Sequence, residues 1–141
     1  FGYRQISTNI FKAFVGWAWD KLYLRSFIEE HKLQFQEQRT SNDMYFGFSA
    51  TALAKKIGVI DKILVHYRID AADSLSKTRE KSWQCFYNAL CGIREKLKKE
   101  GHPVELDVQK GLCHAYPIFP DIPESKETIN KTFAFIHKYV R

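Results

Sequence analysis

Nothing in these 141 residues forms a glycine-rich phosphate loop, neither the dinucleotide fingerprint nor the Walker pattern. No Asp-x-Asp pair occurs to clamp a divalent metal, and the five histidines include no His-x-x-x-His pair. The three cysteines, Cys85, Cys91 and Cys113, are too few for a disulfide framework and lack the paired spacing of a zinc site. A reducing compartment follows from that usage, so the expected location is cytoplasmic, with a peripheral membrane position as the alternative. No apolar run approaches the roughly 20 residues of a membrane span, and nothing reads as a signal peptide. The chain begins on Phe1 rather than methionine, which reads as a fragment or a processed piece.

What is present bounds one ordinary domain with a real core. Hydrophobic residues make up 45% and aromatics 15%, which excludes a disordered chain. The net charge of +6 raises the question of nucleic acid, but the basic residues are interleaved with acids. Their densest cluster, Arg94 to Lys99, sits on the last turns of a helix, where cations suit the dipole. No nucleic-acid partner is expected.

Periodicity places the elements. Ile6, Ile10 and Phe14 recur at helical spacing over residues 3–15, and Trp17 to Tyr23 reads as short and extended. Ser26 with Glu29 has the capping-box pattern of a brief helix running to about Lys32. Phe46, Ala50, Leu53 and Ile57 line one face of a helix over 43–57, with Gly58 as its stop. Residues 63–69 alternate as a strand, with His66 and Arg68 on one face and Tyr67 on the other. Trp83, Phe86, Leu90, Ile93 and Leu97 stripe a helix over 77–100, capped by Gly101. Val104, Leu106 and Val108 alternate as a second strand, prolines at 117, 120 and 123 keep the next stretch irregular, and a helix over 124–139 closes the chain. The expected class is α/β or α+β, a small mixed sheet with several packed helices. The expected regions are 1–100 and 101–141, possible as one merged domain.

Two constellations bear on chemistry. In Thr40-Ser41-Asn42-Asp43-Met44-Tyr45-Phe46, Asp43 stands at a helix start, where unpaired N–H groups and the dipole keep a carboxylate ionised. Such a group suits a general base, and it equally suits an ordinary N-cap. His66 and Arg68 present two cation-capable groups on one strand face, suitable for a diphosphate or for a polar surface edge. Gly47-Phe48-Ser49-Ala50-Thr51 lacks the second glycine of a nucleophile elbow and lies in a helical pattern, so Ser49 reads as a helix residue.

Trp19-Asp20-Lys21-Leu22-Tyr23 with Ser26-Phe27-Ile28, then Ser41 to Phe46, Ile57 to Asp61, Leu64 to Arg68 and Ser74-Leu75-Ser76, resembles the acceptor-side half of family-two glycosyltransferases with the GT-A fold. The resemblance covers about residues 1–95. It implies an inverting transferase with a nucleotide sugar and a hydroxyl acceptor as partners. Asp43 takes the place of the base, and Asn42 stands where glutamate is usual. Trp19, Asp20 and Lys21 are then acceptor contacts, and His66, Tyr67 and Arg68 lie near the donor diphosphate. The family uses a divalent metal with the nucleotide sugar. Its nucleotide-binding half and Asp-x-Asp motif do not occur in this chain, which is therefore expected to be inactive alone and to carry no cofactor.

Val104 to Val108, followed by Gly111-Leu112-Cys113-His114-Ala115-Tyr116-Pro117 and the closing helix, is similar to the C-terminus of an esterase-type α/β-hydrolase over about residues 93–141. That resemblance implies His114 as a triad base, without a Gly-x-Ser-x-Gly nucleophile or a triad acid to serve. Esterase chemistry and a non-catalytic composite are the alternatives to glycosyl transfer.

Overall fold

Each helix of the computed structural model has a local cause, and the causes differ. The structure describes residues 14–60, 62–67, 81–112, 116–119 and 121–139. Their elements are α1 (Arg25–Glu30), α2 (Asn42–Leu53), α3 (Trp83–Lys99), a 3₁₀ turn (Tyr116–Ile118) and α4 (Pro123–Tyr139). Among the described residues there is no β-strand. The α/β class, its mixed sheet and the GT-A sheet are therefore corrected to an all-helical arrangement.

The reason lies in burial. Ile63, Leu64, Val65 and Tyr67 are all at least half exposed, so alternation at 63–67 separates no buried face from a wet one. Around the second expected strand, Val104 and Leu106 are half-buried while Val108 is exposed. A period of two makes a strand only where a neighbouring strand takes up the backbone donors. Residues 68–69 of the first expected strand lie outside the described residues, as does the helix expected over 3–13.

The chain divides into two compact units, Phe1–His102 and Pro103–Arg141. In the first, Leu33, Phe46, Ala50 and Leu53 form the buried cluster, with Ala18, Tyr23, Phe27, Ile28 and Leu97 packed against it. α2 contributes three of those four residues. It ends at Ala54 rather than running to Ile57, and Lys55 and Lys56 beyond it are exposed.

The large stripe of α3 divides: Leu97 packs against the core cluster, while the members nearest the N-terminus stay exposed. Trp83 is 67% exposed and Phe86 43%, whereas Ala89 is fully buried. Ala89 shares its face with half-buried Cys85 and Gly92, four residues before it and three after. A Cβ at Gly92 would lie 3.0 Å from the Tyr45 ring, so the two helices approach closely where side chains are smallest.

Two helices of the first unit, α3 and α1, are closed at their C-terminal ends by the same backbone device. After α3, Gly101 (φ 82°) and His102 donate to Lys98 and Leu97 carbonyls at 3.0 and 2.9 Å, a Schellman closure. After α1, Lys32 and Leu33 donate to Glu29 and Ile28 at 3.2 and 3.0 Å, and Leu33 drops into the core beside Ile28. Here the left-handed position (φ 49°) is taken by Lys32, a residue with a Cβ. α1 itself starts at Arg25 without a side-chain cap, so the Ser26–Glu29 capping box does not form. Lys32→Gly is expected to stabilise the unit by about 1 kcal/mol, read as a rise in the urea midpoint at constant slope. An unchanged or lowered midpoint would contradict the φ assignment.

The second unit is built on α4. Pro123 opens it, where a missing N–H costs nothing, and Glu124 follows in the first turn. Ser125, fully buried, donates to the Tyr116 carbonyl at 2.6 Å. Thr128 donates to Asp107 at 2.8 Å, so its oxygen accepts from the Tyr116 hydroxyl at 2.5 Å.

Candidate functional site

The segment 14–23 carries the site's aromatic face, and Lys21 shapes it. Its ammonium donates to the Val15 and Trp17 carbonyls at 2.8 and 2.7 Å and pairs with Asp20 at 2.6 Å. It also lies 5.6 Å from the centre of the Phe14 ring. With its three donors spent, Lys21 curls the chain rather than reaching outward. The curl brings Trp17 and Trp19 into a stack with ring centres 5.0 Å apart. Tyr67 joins both, 5.9 Å from Trp17 and 5.5 Å from Trp19, within 24° and 9° of parallel. Trp17 is half-buried beneath, while Trp19 and Tyr67 are exposed. Three parallel rings with an open outer face form a flat apolar platform.

This segment is seated on α2 by two glycines. A Cβ added at Gly47 would lie 2.4 Å from the Gly16 carbonyl oxygen, and one at Gly16 would lie 2.5 Å from the Phe48 ring. Hydrogen at Gly47 allows the backbone of 14–23 to touch the helix, and hydrogen at Gly16 leaves room for the Phe48 ring.

Asp43 stands in the first turn of α2, half-buried. Ser41, the residue before the helix, is held in the left-handed region (φ 56°), and no side chain caps the first N–H groups. A non-glycine residue held there marks a backbone fixed by its surroundings. Those surroundings are visible: Gln38 donates to the Cys85 carbonyl at 3.0 Å, and Thr40 is buried. Hydrogen bonding from the Thr40 backbone holds the Cys85 thiol below its ordinary range. The loop that delivers Asp43 is thus fastened to α3.

Tyr23 links the platform to Asp43. Its ring meets Phe46 edge-on at 4.9 Å, and Phe46 lies three residues after Asp43 on the same face. The Tyr23 phenol is pushed up to about 12, first by burial, then by the Asp20 carboxylate, then by that of Asp43. Both carboxylates therefore act on one phenol.

Of the residues singled out in the sequence, the structure gathers Trp19, Asp20, Lys21, Asp43 and Tyr67 around one segment and one helix end. Asn42 is exposed at the start of α2, and His66 is exposed beside Tyr67. Arg68 and His114 lie outside the described residues. In the second unit an open groove of about 460 Å³ runs between residues 103–107 and α4, with Asp107 already engaged by Thr128. Among the described residues no three His, Cys, Asp or Glu side chains group to hold a metal ion. No helix among them is long and apolar enough to cross a membrane. Two participants were missed in the sequence, Trp17 and Tyr23. The Trp17–Trp19 spacing of two was the available sign for the first.

No family model and no solved structure matches the chain. Among curated proteins it is similar to the "Putative glycosyltransferase EpsH" of Bacillus subtilis (strain 168), 30% identical over 99 residues. The match takes in 65% of this chain and 29% of that protein, so the chain spans under a third of the relative's length. No hydrolase likeness accompanies it for the tail, and no described strand precedes residue 113 as that likeness required. At the level of this partial match, the chain is glycosyltransferase-like.

Proposed function

We propose that the first unit is the acceptor-side part of an inverting, family-two type glycosyltransferase. The observation that carries the reading is the Trp17–Trp19–Tyr67 platform, exposed at Trp19 and Tyr67 and seated by the Gly16–Gly47 contact on the helix whose first turn carries Asp43. A flat aromatic face beside carboxylates suits a sugar ring, which has an apolar face and a polar rim. Asp43 takes the proton of the acceptor hydroxyl as that oxygen attacks the anomeric carbon. The bond from that carbon to the diphosphate breaks, and the nucleoside diphosphate leaves with the electron pair. Binding of the nucleotide sugar falls to groups beyond those described, with His66 and Arg68 as this chain's contribution. Transfer by this chain alone is therefore slow or absent.

Two measurements test the reading. Tryptophan emission titrated with a panel of monosaccharides and oligosaccharides is expected to change on binding, with the response lost in Trp19→Ala. A response that survives Trp19→Ala, or none from any sugar, removes the platform as an acceptor surface. Transfer or hydrolysis over a panel of nucleotide sugars is expected to fall about a hundredfold in Asp43→Asn wherever the parent chain gives a signal. Equal signals from parent and variant exclude Asp43 as the base.

A further inference from the structure

α2 and α3 run in the same direction. Gln38, just before α2, donates to the Cys85 carbonyl near the start of α3. Tyr45 stands beside Gly92, and Leu97 packs on the cluster that includes Leu53. The C-terminal ends of both helices therefore lie at one end of the first unit. Four exposed lysines gather there, Lys55 and Lys56 after α2, Lys98 and Lys99 at the close of α3. No ion pair reaches any of the four among the described residues, whereas nearby Lys96 is paired with Glu100 at 2.6 Å. Each helix end offers about half a negative charge, so most of this cationic charge is left uncompensated.

From the same end, residues 54–67 leave α2 and reach the platform at Tyr67. Val59, Ile60, Ile63, Leu64 and Val65 are between 50% and 78% exposed, and Lys62 is exposed among them. Among the described residues no backbone–backbone hydrogen bond involves residues 55–67. Asp61, the one acid between Lys55 and Tyr67, offsets a single charge. Aliphatic side chains exposed together in this way mark a surface that meets a partner.

We propose that the lysine cluster at the paired helix ends, with the aliphatic pairs Val59–Ile60 and Ile63–Leu64 beside it, is a docking surface for an anionic lipid bilayer. Charge complementarity selects that partner. Acidic headgroups offer many negative charges in one plane, with an apolar layer directly beneath. The unpaired ammonium groups meet the headgroups, and the aliphatic side chains sink to the acyl boundary. With its backbone not hydrogen-bonded, the segment rests at that boundary and goes no deeper. Two other occupants fit less well. A second copy on a two-fold axis would set the same uncompensated lysines against each other. A nucleic acid would engage the lysines and leave the aliphatic side chains in water. Neither the platform nor Asp43 takes part, so docking and acceptor binding are separable.

Co-sedimentation of the intact chain with vesicles tests the surface, using phosphatidylcholine alone and phosphatidylcholine with about 30% phosphatidylglycerol. Binding is expected only to the anionic vesicles. Raising salt from about 0.1 to 1 M shortens the screening length from about 10 to 3 Å and should weaken binding at least ~tenfold. Lys55→Gln with Lys56→Gln should weaken it about thirtyfold, roughly fivefold for each lysine. Ile63→Ser with Leu64→Ser should lower it at least ~tenfold at every salt concentration. All four positions are exposed, so both double variants should melt within a few degrees of the parent. The parent chain's own lipid preference and salt response stand without any variant. No binding, equal binding to both vesicle types, or full binding by either double variant overturns the proposal. Two further results assign the surface to another occupant and overturn it equally. One is a dimer in sedimentation velocity that Ile63→Ser with Leu64→Ser dissolves. The other is duplex DNA bound more tightly than the vesicles and weakened only by the lysine changes.

Discussion

Gly47→Ala is expected to lower the melting temperature of the first unit by about 10 °C or more, followed by circular dichroism at neutral pH. The new Cβ would sit 2.4 Å from the Gly16 carbonyl oxygen, and the obstructing atom is backbone. A side chain can swing aside; this carbonyl can move only if the whole 14–23 segment lifts from α2. Overpacking of that kind costs about 3 kcal/mol. Gly16→Ala supplies the comparison, because its Cβ meets the Phe48 ring, which can rotate away, and the loss should be visibly smaller. The site is expected to respond along with the fold. Lifting the segment carries Trp17, Trp19 and Tyr23 off α2, so tryptophan emission of folded Gly47→Ala should move to the red. Equal losses from Gly47→Ala and Gly16→Ala would contradict the close backbone approach.

That contact could not be read from the sequence, and the reason is general. Gly47 reads there as half of a nucleophile elbow within a helical pattern, since the partner that demands a glycine lies 31 positions away. Local signals fared better. The helical periods of the last two helices survive at Trp83–Lys99 and Pro123–Tyr139, and Gly101 closes the former in the left-handed conformation expected of a cap. The expected sheet failed because alternation reports only which side chains could share a face, whereas a strand needs a partner chain to take its hydrogen bonds. The α3 stripe holds only in part, with Leu97 against the core. Trp83 and Phe86 carry the right period yet stay exposed, and the close approach to α2 falls at Ala89 and Gly92.

The site divides along the same line. Trp19, Asp20, Lys21 and Asp43 were visible as residue types in a motif. What each does with its side chain depended on distant atoms. Lys21 was expected as an acceptor contact and is found spending its ammonium on Val15, Trp17 and Asp20. Tyr67 was expected near a diphosphate and is found stacked on Trp17 and Trp19. Neither arrangement follows from spacing, because both are made by the fold of a loop whose course the side chains themselves determine.

Phe46→Ala is expected to cost about 4 kcal/mol, the middle of the range for removing a buried aromatic ring. Phe46 is 4% exposed and supports three things at once. It packs in the cluster with Leu33, Ala50 and Leu53, stacks on Phe35 at 4.6 Å and takes the edge of Tyr23 at 4.9 Å. The cavity left by its ring adjoins Tyr23, which then has room to tilt into it. Two readouts should therefore move together in a urea titration and an absorbance titration of the same variant. The unfolding midpoint falls, and the Tyr23 phenol, no longer held against the head of α2, titrates nearer its ordinary 10 than the raised value of about 12. Phe46→Leu refills much of the volume and should recover more than half of the stability while restoring less of the phenol shift, since a leucine offers no flat ring for the tyrosine edge. A phenol midpoint that stays near 12 in folded Phe46→Ala would mean that Tyr23 is placed by some other contact, and that the core and the Asp43 site are not joined through this ring.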